Sequence, residues 1–361
     1  MVASEKNMQM IMELADAFGP SGFEDDVLAV ARKWADGLGV IEEDHMRNLY
    51  IHRKENTGNK PVIMLDAHSD EVGFMIHSIK PNGTLRFVTL GRFSNIALSS
   101  ADVLVRNALG EYIPGIIAAK PVHFMTAAER ANGGVPEISS LVIDIGATSY
   151  DEAVNKFHIR IGEPGVPATR CRYDAEHDVL FGKGFDCRVG CAAVIETLRR
   201  LEGVELPCDV IGVLSSQEEV GERGCKVSVK HANPSIAIVF EGCPADDTFT
   251  EPYAIQTALR KGPMLRFMDV SVICSPRYQR YVLDLAEREG IPAQASVREG
   301  GGNNGAIINT ALDGTPVVVA GVPVRYIHSM NCITTGYDFE QTVRLAEATV
   351  RAMTPEQIAA F

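Results

Sequence analysis

Seven ionisable side chains occur in five short stretches, each where an apolar run ends or a helix begins. They are His68 and Asp70 in LDAHSDEVG, Asp186 in GKGFDCRVGC, Glu218 and Glu219 in SSQEEVGERG, Glu241 in AIVFEGCP and His328 in VRYIHSM. In open α/β sheets, ligands bind beyond the carboxyl ends of the strands, so residues in this context can converge on one crevice. Imidazoles and carboxylates without clustered thiols suit zinc, cobalt or manganese, whereas calcium and magnesium prefer oxygen alone. Two histidines and three ligating carboxylates can hold two ions, provided one carboxylate bridges them. Two neighbouring glutamates, usually no more than a solvated turn, then acquire a purpose: one can ligate while the other stays free as a base.

These residues need a scaffold, and the chain reads as α/β. Met10, Ile11, Leu14 and Phe18 make one helical face, ended by FGPSG. Ser21 and Glu24 form a capping-box pattern before a second helix with Val27, Leu28, Ala31 and Trp34 as its buried stripe. PVIMLDAHSD is a continuous apolar run, the pattern of a strand covered on both faces. From about Val72 to Gly165 the texture becomes β-rich, with hairpins turning at Asn82-Gly83 and at Gly110. Helix and strand patterns alternate again beyond Asp178: helices over Arg188–Leu201 and Ser275–Glu289, strands in CDVIGVLSS, SIAIVFEG and TPVVVAGVP, and a last helix with Asp338 and Gln341 as its cap pair. The expectation is a discontinuous catalytic domain, 1–72 and 166–361, interrupted by a small barrel or sandwich over 73–165.

The 361 residues, 46% hydrophobic and 22% charged, suit a soluble globular enzyme. A net charge of −13 argues against non-specific binding to nucleic acid or anionic membranes. No apolar run approaches the roughly 20 residues that span a bilayer, and the N-terminus has no apolar signal core, so a cytoplasmic location is expected. The eight cysteines form no CxxC pair and are read as reduced core residues, including Cys187 and Cys191.

In this order and spacing, DAHSDEVG, GKGFDCRVGC, SSQEEVGERG and GVPVRYIHS resemble the dinuclear-metal glutamyl aminopeptidases. That family includes tetrahedral dodecameric aminopeptidases, and some members carry the name endoglucanase. The resemblance spans essentially the whole chain. It implies a three-layer α/β/α catalytic domain of the zinc-peptidase kind with a small all-β, barrel or PDZ-like insert used in assembly. It implies that Asp186 bridges two divalent ions, with His68 and Glu241 on one and Glu219 and His328 on the other. Zinc is the expected metal, cobalt and manganese the alternatives. Glu218 would be the general base, and Asp70 would hold His68 by a hydrogen bond that fixes its tautomer. Short peptides are the implied substrates and a hollow homododecamer the implied assembly.

The motifs depart from the family pattern in four places. Cys187 stands where relatives usually carry Asp or Asn, Glu241 where many carry Asp, and Asn303-Asn304 where Thr-Asp is usual; HSMNCIT lacks a proline after His328. Loss of a charge at Asn303-Asn304 leads us to expect a neutral wall contacting substrate there. A non-peptide amide or N-acyl substrate is the alternative reading. Glycoside hydrolysis by two carboxylates is a less favoured one, because adjacent glutamates fit it poorly.

Overall fold

The computed structural model describes residues 3–131 and 136–361. After two helices come three strands, β1 (Gly39–Glu43), β2 (Leu49–Arg53) and β3 (Val62–His68). Six more follow: β4 (Gly73–Ile79), β5 (Leu85–Leu90), β6 (Asp102–Arg106), β7 (Tyr112–Ile117), β8 (Ile143–Asp144) and β9 (Pro164–Pro167). Then come β10 (Arg172–Asp174), β11 (Val179–Gly182), β12 (Asp209–Ser215) and β13 (Ile236–Pro244), and finally β14 (Met264–Met268), β15 (Gln294–Val297), β16 (Val317–Val324) and β17 (Cys332–Thr334). Eight of them form one sheet in the order β1-β2-β12-β3-β13-β16-β14-β15, whose centre, β12-β3-β13-β16, is parallel.

Side-chain alternation along β3 explains the layering. Ile63, Leu65 and Ala67 enter one core with the helices Glu5–Asp16, Asp25–Ala35, Phe185–Arg200 and Gly336–Ala352. Met64 enters a second core with Tyr50, Val213, Val229 and Ile308, under the helices Cys225–Ala232 and Gly305–Thr310. Both faces of the parallel strands are therefore buried, which is why the strand sequences are mostly apolar, with buried Asp66 of β3 an exception. The result is a mixed α/β fold with helices on both sides of the sheet.

Strands β4 to β9 close a separate barrel in the order β4-β5-β8-β7-β6-β9. It has its own core of Phe74, Ile76, Leu85, Val103, Ile117 and Ile143. Its first two hairpins turn at Gly83 and Gly110, both with positive φ. Short helical turns such as Asn95–Leu98 and Glu152–Lys156 interrupt the strands.

Two expected helix caps are not made. The helix Asp25–Ala35 starts after Glu24, but Ser21 donates its hydroxyl to Asp70 (2.6 Å), and the Glu24 carboxylate accepts from the amides of Gly22 and Gln217. Both side chains are drawn to stronger partners near the strand ends. In the helix Gly336–Ala352, Thr335 is the cap, accepting from the Asp338 amide, while Asp338 accepts from the amides of Arg260 and Gly262.

The start of the helix Phe185–Arg200 is fixed by close approach to β13. A Cβ at Gly242 would lie 2.6 Å from the Phe185 carbonyl oxygen and 2.8 Å from Asp186 Cα, so this position must lack a side chain. Gly242→Ala is expected to destabilise the fold by about 1–3 kcal/mol through overpacking. Denaturant unfolding checks this, and an unchanged midpoint would show that the contact is not constraining.

Candidate metal centre

The parallel strands deliver their chemistry at one edge. His68 ends β3 and pairs in register with Ser215, which ends β12 and leads into Glu218 and Glu219. Glu241 lies in β13 opposite Gly321 of β16, and His328 follows β16. Asp186 is the second residue of its helix, yet its backbone is extended (φ −85°, ψ 104°), which turns the carboxylate away from the helix ladder.

Asp186 presents one oxygen to each histidine: Oδ1 lies 3.1 Å from His68 Nε2 and Oδ2 3.3 Å from His328 Nε2. His68 Nε2 is also 3.7 Å from Glu241 Oε2 and 3.9 Å from Glu218 Oε2. His328 Nε2 is 3.4 Å from Glu219 Oε1. Three overlapping groups result, one holding His68, Asp186, Cys187 and Glu241, one Asp186, Glu219 and His328, and one His68, Glu218 and Glu219, with the donor atoms of each within 4.8 Å.

The donor set fits divalent cations. Bonds of about 2.0–2.2 Å to one tetrahedral ion place its ligand atoms roughly 3.3 Å apart, close to the spacings found here. Glu219 Oε1 and Glu241 Oε1 are buried without a hydrogen-bond partner, an expensive arrangement for a carboxylate that no cation satisfies. Cys187 shares the first group, but burial raises its thiol well above the ordinary range, and the thiol donates to the Phe240 carbonyl (3.2 Å).

Protons take the place of cations in the metal-free chain. Burial alone would lower the His68 imidazole, but the Glu218 carboxylate and the bonds to Asp186 and Asp70 hold it well above its usual value. His328 is held up to about 11: burial lowers it, and Asp186 and Glu219 more than compensate. Burial and neighbouring carboxylates push Glu218 and Glu241 well above the carboxylate range. Glu219 is raised by burial, despite His328. Asp186 goes the other way, because two imidazoles overcome its burial.

A ring of supporting contacts fixes this cluster. His68 Nδ1 meets the backbone carbonyl of Asp70 at 3.1 Å and its carboxylate only at 3.4 Å. The Asp70 carboxylate instead accepts from the amides of Glu218 (2.9 Å) and Glu219 (3.2 Å) and from Ser21. Gln217 and His328 both have left-handed backbones (φ 52° and 56°), strain that the surrounding bonds must hold. Behind β3, buried Asp66 accepts from Ser215 and Asn304.

All seven residues singled out in the sequence meet at this edge. The two asparagines do not join them. Asn303 and Asn304 are buried, donating to Asp269 and Asp66 (2.8 Å each), and their side chains lie behind the wall. The wall itself is glycine, Gly300–Gly302, at the rim of a cleft of about 710 Å³. Arg266, Arg298 and Glu222 also line that cleft and were not anticipated. An arginine inside the apolar run MLRFM was the available signal.

A family model for M42 glutamyl aminopeptidases matches residues 48–345. The chain belongs to this family. A glutamyl aminopeptidase of Lactococcus lactis is 32% identical over 97% of both chains. Among solved structures, the TET aminopeptidase of a marine-sediment thaumarchaeon superposes with a TM-score of 0.94, at 34% identity over 99% of each chain. The TET1 peptidase of Pyrococcus horikoshii, described as assembling into a tetrahedron or a large octahedral shell, gives 0.86 at 28% identity over 96% of this chain and 100% of its own. This M42 protein is thus a peptidase of the aminopeptidase kind. No helix among the described residues is long and apolar enough to cross a membrane.

The raised imidazoles set the direction of a pH effect in the M42 centre. His68 and His328 carry protons at neutral pH in the metal-free chain, and a metal must displace them. Zinc uptake is therefore expected to release protons and to tighten as pH rises. Calorimetry in two buffers of different ionisation enthalpy checks this; identical heats in both would contradict it.

Proposed function

We propose that this protein removes N-terminal residues from short peptides using two divalent ions and Glu218 as general base. The observation that carries the reading is Asp186, whose two oxygens each face a different histidine. His68 and Glu241 would hold one ion with Asp186, and Glu219 and His328 the other. Zinc suits this set best, with cobalt and manganese as alternatives. When bound, the pair supplies Lewis acidity for the scissile carbonyl and lowers the pKa of water.

The chain's own residues supply the rest. Glu218 also has an oxygen near His68 and Glu219, but the other five residues suffice for two ions, so we assign its carboxylate to take a proton from water and return it to the leaving amine. Burial raises its basicity, as that task requires. Asp70 positions both glutamates through their amides, and its backbone carbonyl orients His68. The cleft of about 710 Å³ is lined by Glu218, Glu219, Glu222 and Glu241, carboxylates that could meet a free amine.

We read the barrel over 73–165 as a domain inserted into a catalytic domain formed by 1–72 and 166–361. Its separate core supports that division, although β9 runs on to Pro167. The shell formed by the Pyrococcus relative supports a homo-oligomer, of which a tetrahedral dodecamer is the simplest. A cytoplasmic place of action fits such a peptidase. Glycoside hydrolysis is disfavoured, since Glu218 and Glu219 bring carboxylate oxygens within 4.8 Å of each other, closer than the roughly 5–9.5 Å that such chemistry needs.

Amino-acid anilides and unblocked peptides test the reading, with metal content measured alongside. Glu218→Gln is expected to keep its metals while turnover falls by about 10²–10⁴-fold. If wild type and variant both bind metal and neither cleaves a peptide, the substrate is another amide and the peptide assignment fails.

A further inference from the structure

A second group of metal-ligating side chains lies away from the cleft. Glu42 of β1 and His52 of β2 project from the same face of their hairpin, as diagonal neighbours in the register that pairs Val40 with His52 and Glu42 with Tyr50. The helix Cys225–Ala232 packs over this face through Val229 and brings His231, in its last turn, above Tyr50. Two strands of one hairpin and a helix distant in sequence thus contribute one donor each, and the donor atoms lie within 4.8 Å of one another.

Glu42 Oε2 is 3.5 Å from His52 Nε2 and 3.5 Å from His231 Nε2. That exceeds the roughly 2.7–2.9 Å of a charge-assisted hydrogen bond. It lies near the roughly 3.3 Å edge between two ligands of one tetrahedral ion. His52 Nε2 is buried and has no hydrogen-bond partner, so the nitrogen aimed at the group is unsatisfied. The His231 ring is held against Tyr50 at a centroid distance of 4.1 Å, and the Tyr50 hydroxyl is fixed by a 2.6 Å bond to Asp44. Glu42 and His231 remain half exposed, leaving a path for an ion to enter.

We propose that Glu42, His52 and His231 form a peripheral site for one zinc-class divalent cation, with water completing a tetrahedral shell. Bound there, the ion fastens the end of the helix that follows the Glu218-Glu219 loop to the β1-β2 edge. The site shares no residue with the proposed catalytic centre and does not depend on its assignment.

Equilibrium dialysis of the full-length protein against zinc at neutral pH, alongside His52→Gln, His231→Gln and Glu42→Gln, tests this. Wild type is expected to bind one zinc more per chain than each variant. The half-saturating concentration for that ion should rise about 100-fold or more in the histidine variants, because even outer partners of a ligand are worth 10–100-fold. Peptide hydrolysis by zinc-loaded variants should be unchanged. Should His52→Gln fold poorly, His231→Gln at the half-exposed helix end carries the test. Equal zinc stoichiometry and affinity in wild type and His231→Gln would overturn the proposal and leave the three side chains as a plain ion pair.

Discussion

Asp186, Glu218, Glu219 and Glu241 crowd with two imidazoles into a space a few ångströms wide and largely withdrawn from water. Like charges this close and this buried cannot all be ionised without a compensating positive charge. The metal-free chain meets the constraint with protons, which is why both imidazoles and three glutamates are shifted upward. Two divalent ions would meet it with charge that also does chemistry. Asp186 is the hinge of this arrangement, since it turns one oxygen to each histidine.

Keeping such a cluster in place demands a rigid surround, and the structure provides it largely from backbone groups. Parallel β3, β12 and β13 set the spacing of His68, Glu219 and Glu241 through their ladder register. The Asp70 carboxylate, itself fully buried, is satisfied by two amides of the Glu218-Glu219 loop and by Ser21. Beside it, burial and the Asp70 charge raise Glu24 to about 7, while its oxygen takes the Gln217 amide and so holds the left-handed turn that precedes Glu218. Deeper still, Lys183 and Arg188 both pair with buried Glu71, tying the Asp186 helix to the segment after His68.

The main elements were legible because apolar runs and turn residues agree locally: PVIMLDAH, CDVIGVLSS and TPVVVAGVP each became a strand of the parallel centre. The candidate metal-binding edge was legible for a related reason. Charged residues at the ends of such runs have no packing role, so their type announces chemistry. What sequence could not reveal was competition between partners. Ser21 and Glu24 match a capping box, but a buried carboxylate and an exposed loop amide outbid the helix end. Asp338 likewise serves amides across the fold rather than its own helix. Asn303 and Asn304 follow a glycine run that forms the cleft rim, and only three-dimensional packing reveals that their side chains turn inward to Asp269 and Asp66.

The central claim is that Asp186 is shared between two ions, and counting them tests it most directly. Zinc content is measured after exhaustive dialysis in a His231→Gln background, so that only the catalytic centre is counted. Two ions per chain are expected for that background, one when His328→Ala is added, and none when Asp186→Asn is added. A full, tightly held pair of ions in the Asp186→Asn protein would contradict the account, because a carboxylate that can be removed without losing either metal does not bridge them.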